Sequence, residues 1–268
     1  YLLDFYNTGK ELKEVDTVFH CAAIVSFNTK MKNQLLDTNY YATKNLINFS
    51  LIHNVSKFCF ISSVATLSKD INQAFFDEES WFSWSDKKSN YAISKYLAEM
   101  EVWRGFSEGL NGFIVNPSLI IGPGDDNGLF ATMIKKLGNK TMFYPKGSSG
   151  FVDVRDVAKI VLKLAKLNVT NERYIINAYN MSFKKLLHIF AIKMNTTKPS
   201  VPINKSIVSI YLILSKLINS IIGKKTLLTN EMLEFLDGDL NYSNQKIKNK
   251  LNYQFIEFSK SLEETIKI

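Results

Sequence analysis

The sequence is poor in the residues that staple small folds or build metal centres. Two cysteines in 268 residues cannot make a disulfide framework or a four-cysteine zinc site. Three scattered histidines offer no metal-ligating constellation, so no metal is expected. Arginine is nearly absent: Arg104, Arg155 and Arg173 are the whole supply, against a formal charge of +8. Arg is the residue suited to bidentate phosphate and base contacts. With no Arg-rich run, zinc-finger spacing or RNA-recognition signature, the charge reads as a solvated lysine surface, and nucleic acid is not an expected partner. Glycine is scarce too, at 12 residues against about 7% in average usage. The most apolar stretch, 207–222, is interrupted by Ser209, Ser215, Lys216, Asn219 and Ser220. It falls short of the roughly 20 apolar residues a membrane span needs, so it reads as a packing helix. No leader pattern follows Tyr1, and the expected location is the cytoplasm.

What is present is a core-forming chain, with 46% hydrophobic residues, enough to exclude general disorder. Short, continuously apolar runs alternate with helical periodicity. The run 16–23 (DTVFHCAA) reads as a buried strand, 34–54 as a helix, 57–62 (KFCFIS) as a strand. A helix follows from Tyr91 to about Gly105, then a strand at 112–117 (GFIVNP), a loop at 122–128 and a helix at 129–137. Asp156 reads as the N-cap of a helix running to about Leu167, ahead of a strand at 173–177. Strands buried on both faces and alternating with helices predict an α/β fold with a parallel sheet. Beyond Asn180 the pattern is helix-rich, with helices expected at 182–194, 206–222, 229–236 and 257–266. The expected division is 1–180 for the sheet domain and 181–268 for a smaller helical part.

Tyr91 and Lys95 lie four apart at the start of a helix, which puts both on one face. A tyrosine hydroxyl titrates near 10, and a neighbouring ammonium favours its phenolate. Such a pair can serve as a general acid and base near neutral pH. Alone, the spacing is a weak pattern that most surface helices could match. Its context is Ser62-Ser63, directly after a buried strand, where parallel sheets place their sites. A serine hydroxyl there can stabilise developing charge on a carbonyl oxygen; the alternative is that both serines cap the loop. His20 reads as a packed core histidine. Cys21 and Cys59 fall on two expected buried strands and read as small hydrophobes.

Six segments occur together in order: DTVFHCAA (16–23), NYYATKNLI (39–47), FISSVATLS (60–68), YAISKYLAE (91–99), VNPSLIIGPG (115–124) and FVDVRDVA (151–158). In this the chain resembles the extended short-chain dehydrogenase/reductase family, also called the NAD-dependent epimerase/dehydratase family. The resemblance implies a Rossmann-like doubly wound parallel sheet with a small helix-rich C-terminal substrate-binding part. It implies a catalytic group of Ser63, Tyr91 and Lys95 with a supporting Asn39, and NAD or NADP as cofactor. In that scheme Ser63 orients the carbonyl, Tyr91 exchanges the proton, and Lys95 lowers the Tyr91 pKa and holds the nicotinamide ribose. Asn39 supports a water-linked proton path, or is simply structural. Cys21, Ala22, Ala23, Ser62, Pro117 and Ser118 lie against the cofactor beside Tyr91 and Lys95. Asp153 and Asp156 read as structural members of their motif.

The family's Gly-x-x-Gly-x-x-Gly turn, whose backbone would cradle a pyrophosphate, does not occur. The first recognisable strand matches the family's fourth. The expectation is therefore an N-terminally truncated sequence, without the residue that selects NAD or NADP, and inactive as it stands. It should bind cofactor poorly and aggregate through an exposed sheet edge. Among reactions, Val64 to Ser68 after the serine pair, and the 115–124 and 151–158 segments, look like those of dihydroflavonol-reductase and 3β-hydroxysteroid-type members. The apolar 207–221 stretch (Ile207, Tyr211, Leu214, Leu217, Ile218, Ile221) suits a hydrophobic substrate, or is core. The expected activity is hydride transfer to a carbonyl or from a secondary alcohol of a small apolar molecule. A sugar-nucleotide epimerase or dehydratase, and a non-catalytic binding or sensing member, are the alternatives. A homodimer through helices flanking the sheet is the expected assembly.

Overall fold

The computed structural model describes residues 3–68, 74–84, 88–122, 143–167, 169–203 and 230–266. The elements, in chain order, are α1 (Phe5–Glu11), β1 (Thr17–His20), α2 (Lys32–Leu35), α3 (Ala42–Ile52), β2 (Lys57–Ile61), α4 (Asn90–Ser107), β3 (Gly112–Pro117) and β4 (Leu119–Ile121). There follow β5 (Phe143–Tyr144), β6 (Ser148–Asp153), α5 (Val154–Lys166), β7 (Glu172–Ile176), β8 (Tyr179–Ser182), α6 (Phe183–Lys193), β9 (Val201–Pro202), α7 (Asn230–Asp237), α8 (Gln245–Leu251) and α9 (Phe258–Ile266). A π-helical stretch, Leu36–Tyr41, joins α2 to α3.

The chain forms two compact units, each assembled from three segments: Tyr1–Ser118, Arg155–Asn177 and Tyr242–Phe255 in one, Leu119–Val154, Ala178–Asn241 and Ile256–Ile268 in the other. In the first, four parallel strands pair in the order β1-β2-β3-β7. This is a Rossmann-like sheet with flanking helices, as the alternation predicts. The order never reverses, so these strands are one winding of such a fold. All six residues of β3 are buried, which accounts for its unbroken apolar run. Gly112 is required by close approach: a Cβ there would sit 1.9 Å from the Phe58 carbonyl oxygen on β2. One core packs Leu46 and Ile47 of α3 and Ala98 and Val102 of α4 against Phe58, Phe60 and Ile114.

The N-terminus of α4 is capped by Ser89, whose hydroxyl accepts from the Ala92 amide at 3.0 Å. Lys57 of β2 caps the end of α5 by donating to the Ala165 and Leu167 carbonyls at 2.7 and 2.9 Å. Asp156 departs from the expected N-cap. It is the third residue of α5, fully buried, and accepts from the Tyr253 hydroxyl at 2.9 Å. The helix begins two residues earlier because β6 runs straight into it.

The second unit holds a three-stranded sheet, β4-β6-β8, with β4 and β6 parallel and β6 and β8 antiparallel. Its core joins Ile121 and Phe151 to Phe183, Leu186, Phe190 and Leu262. The expected helices at 129–137 and 206–222, and residues 123–128 of the expected loop, lie outside the described residues. Among the described residues no helix is long and apolar enough to cross a membrane.

Candidate active site

The site forms in the first unit, where the carboxyl ends of β1, β2 and β3 face α4. Tyr91, Lys95 and Glu99 follow one another at four-residue spacing and so share one helix face. Lys95 is only 2% exposed. Its ammonium donates to the Ile61 carbonyl at 2.7 Å and stands 4.2 Å from the centre of the Phe60 ring. Burial pulls its pKa down to about 8, while the Glu99 carboxylate works against that fall.

Ser63 follows β2 at the start of a single 3-10 turn, Val64–Thr66. Its hydroxyl oxygen accepts from the Ala65 amide at 3.2 Å, so its own proton is left to give. The neighbouring Ser63 hydroxyl favours the Tyr91 phenolate, but burial is the larger effect and raises the Tyr91 pKa above its ordinary value. The structure thus brings Ser63 and Tyr91 together. It differs from the sequence expectation in one respect: desolvation outweighs any ammonium effect on the phenol.

Asn39 lies in the π-helical stretch, 1% exposed. Its side chain accepts from the Ile24 amide at 2.8 Å and donates to the Ile24 carbonyl and the Ser94 hydroxyl, both at 2.9 Å. Both its N–H donors are therefore spent, on the loop after β1 and on α4. Ser94 in turn donates to the Tyr91 carbonyl at 2.8 Å. π-bulges concentrate at functional sites, and this one places an amide to pin the loop beside Tyr91.

His20 is a buried core histidine, as expected, with its pKa pulled down to about 3 by burial and then by Lys95. Thr43 gives its one hydroxyl proton to the Asn39 carbonyl at 2.6 Å, so it must accept from His20 Nε2 at 2.8 Å. Cys21 is a correction. The expected buried strand ends at His20, and Cys21 is exposed in the turn with Ala22 and Ala23. Cys59 is buried on β2, its thiol pushed up to about 12 by burial.

The remaining residues expected against a cofactor are placed as follows. Pro117 ends β3, and Ser118 is buried, its hydroxyl 3.4 Å from the Ile176 carbonyl. Ser62 turns its hydroxyl inward to Glu99 at 2.7 Å. The donor set fits a nicotinamide riboside on one observation: Lys95 commits one of its three N–H donors, leaving two for a ribose diol. The small exposed Cys21-Ala22-Ala23 turn offers backbone for close approach.

Sequence reasoning missed the polar network beneath Ser63. Glu99, 1% exposed, accepts from Ser62, Thr66 and Asn116 and pairs with Arg173 at 3.2 Å. Asn116 also donates to the Ser63 carbonyl at 3.1 Å. Arg173 gives its other donors to the Glu78 and Ser80 carbonyls at 2.7 and 2.8 Å. The available signal was a carboxylate on the apolar stripe of α4 together with one of only three arginines inside an apolar strand.

A parallel α/β sheet with Ser63, Tyr91 and Lys95 near its carboxyl edge is a sheet of Rossmann type. Residues 2–178 match the NAD dependent epimerase/dehydratase family, and the chain belongs to that family. Cinnamoyl-CoA reductase 1 of Petunia hybrida is 28% identical over 184 residues, covering 65% of this chain and 54% of that protein. A putative dihydroflavonol 4-reductase of a Synechocystis strain is 27% identical over 184 residues, covering 66% and 54%. The chain thus spans about half the length of these curated relatives. The crystal structure of gox2253 superposes with a TM-score of 0.83 at 25% identity, covering all of this chain and 82% of that one.

Proposed function

We propose that this site serves NAD(P)-dependent hydride transfer between a nicotinamide and a carbonyl or secondary alcohol carbon of a small apolar substrate. The observation that carries the reading is the placement of Ser63 at the end of β2 beside Tyr91, with Lys95 one helical turn further along α4. Bound nicotinamide would supply or accept the hydride. In the reducing direction, Tyr91 gives its phenolic proton to the substrate oxygen as charge develops there. Ser63 donates a hydrogen bond to that same oxygen. Lys95 holds positive charge beside the phenolate that remains, and its two uncommitted N–H groups would hold the ribose. Asn39 and Ser94 keep the loop after β1 and the start of α4 in place, and Cys21, Ala22, Ala23, Ser62, Pro117 and Ser118 line or support the cofactor side. The reductase relatives favour this reading over epimerisation of a nucleotide sugar.

The 268 residues carry no glycine-rich turn, so dinucleotide binding by this chain alone is expected to be weaker than low micromolar. Turnover is therefore assayed with three parallel strands and their connecting helices, the first strand followed by a Gly-x-x-Gly-x-x-Gly turn, fused ahead of Tyr1. Loss of NADH or NADPH absorbance is followed against a panel of aryl aldehydes, thioesters and ketones, alongside UDP- and dTDP-sugars. Consumption with an apolar carbonyl supports the reading. Conversion of a nucleotide sugar alone, or no reaction with any carbonyl, contradicts it.

A further inference from the structure

Glu99 is a charged side chain that the proposed hydride transfer does not use, yet it is among the most buried residues of the sheet unit. Three facts about its surroundings converge. First, it and Lys95 fasten consecutive residues of one turn to α4: Lys95 holds the Ile61 carbonyl and Glu99 the Ser62 hydroxyl, at 2.7 Å each. Second, the groups that reach its carboxylate also grip Ser63 from behind. Thr66 donates to Glu99 at 3.1 Å and lies 2.9 Å from the Ser63 carbonyl, while Asn116 contacts Glu99, Thr66 and the Ser63 carbonyl at 3.1 Å each. Third, its charge is compensated across the sheet by Arg173, which is itself anchored on two backbone carbonyls of the 78–80 loop. Glu99, Thr66, Asn116 and Arg173 all lie outside the proposed Ser63, Tyr91 and Lys95 group.

We propose that Glu99 is the positioning residue of this site: its buried carboxylate, on the helix face it shares with Lys95, holds the Ser62–Ser63 turn in register with Tyr91. The inference rests on the reading of Ser63, Tyr91 and Lys95 as the reactive group. The same carboxylate also bears on the Lys95 ammonium, which has a defined set of neighbours. Lys95 shares one helix face with Glu99 and Tyr91, and lies within electrostatic reach of Glu99, of His20 at the end of β1 and of Cys21 in the following turn. His20 is neutral through the working range and the Cys21 thiol is raised, so Glu99 is the anion that supports the ammonium. Arg173, on β7, is the opposing charge on the far side of the carboxylate.

The test needs no cofactor or turnover. The Lys95 ammonium is titrated by NMR in the full 268-residue chain labelled at lysine, with Lys95→Arg to assign its signal. Amide exchange is read at Ala65 and Thr66, whose N–H groups bond the Ser63 hydroxyl and carbonyl, and at β3 for comparison. In Glu99→Gln the Lys95 midpoint is expected to move to lower pH, and exchange at Ala65 and Thr66 to rise roughly tenfold or more relative to β3. Ser62→Ala keeps the Glu99–Arg173 pair. It is expected to raise the same exchange while leaving the Lys95 midpoint where it was, so the proposal stays testable if Glu99→Gln does not fold. An unmoved midpoint in Glu99→Gln, or exchange in Ser62→Ala that rises no more at 65–66 than in β3, overturns it. Failure of the hydride-transfer reading would leave these measurements unaffected and would show in turnover alone.

Discussion

Lys95 concentrates the cost of the site in a single side chain. Burial holds its pKa at about 8 rather than 10.5, which corresponds to about 3 kcal/mol of order-of-magnitude destabilisation. The sign follows from proton counting. Between pH 8 and 10.5 the unfolded chain binds the proton that the folded lysine has lost, so stability rises with pH across that window. The cost is fully present below pH 8 and relieved above 10.5. Lys95→Met is therefore expected to melt no lower than the parent at pH 7, despite losing the Ile61 hydrogen bond. Its advantage should shrink as thermal melts are taken from pH 8 towards 10.5. A variant several degrees less stable at pH 7, with an unchanged pH slope, would show that the ammonium is not strained. Sites that sacrifice stability for chemistry behave in this way.

Tyr91 and Lys95 were readable in the sequence because helical spacing is local and the six motifs occur in order. What the sequence withheld at this scale was the balance of forces on each group. It cannot show that the phenol is more strongly desolvated than it is helped by its neighbours, or that Cys21 leaves the strand and becomes exposed. Those outcomes depend on which atoms of distant segments surround a side chain.

Among elements, α4 is tied to β7 by Glu99 and Arg173, a buried pair whose partners come from three further segments: Ser62 and Thr66, Glu78 and Ser80, and Asn116. Removing one partner of such a pair leaves an uncompensated charge, which typically costs about 3–5 kcal/mol. Arg173→Met should lose that much in urea unfolding. Glu99→Gln combined with Arg173→Met should recover most of it, since Gln can still accept from Ser62 or Asn116. Additive losses in the double variant would mean the two residues do not form a unit.

The contact between β2 and β3 gives an independent check. Gly112→Ala is expected to cost at least about 1–3 kcal/mol, because backbone rather than a movable side chain occupies the Cβ position. Equal urea midpoints for Gly112→Ala and the parent would refute that register. The strands β1, β2, β3 and β7 were legible because each is a short apolar run. β6 was not, since its Ser-Ser-Gly start looks like a turn and its pairing with β4 and β8 is long-range. α8 escaped notice because only Ile247 of its seven residues is buried. The π-helical stretch at Asn39 has no sequence signature, as it follows from the ties of Asn39 and Thr43 to Ile24, Ser94 and His20.

At the scale of the molecule, the described residues build a four-stranded parallel sheet, a three-stranded mixed sheet and the two-stranded parallel pair β5-β9, and the two units interleave along the chain. Every residue of the proposed reactive group lies in the first unit, at the carboxyl edge of consecutive parallel strands. Membership of the NAD dependent epimerase/dehydratase family agrees with that placement. The central claim is that Tyr91 exchanges the proton while Ser63 holds the oxygen. The most direct measurement is kcat/KM for carbonyl reduction by the glycine-turn fusion and by the same protein with Tyr91→Phe. A fall of roughly 10²–10⁴-fold, with the melting temperature within a few degrees, is the expected result. Turnover by the Tyr91→Phe protein within a few-fold of the parent would contradict the account.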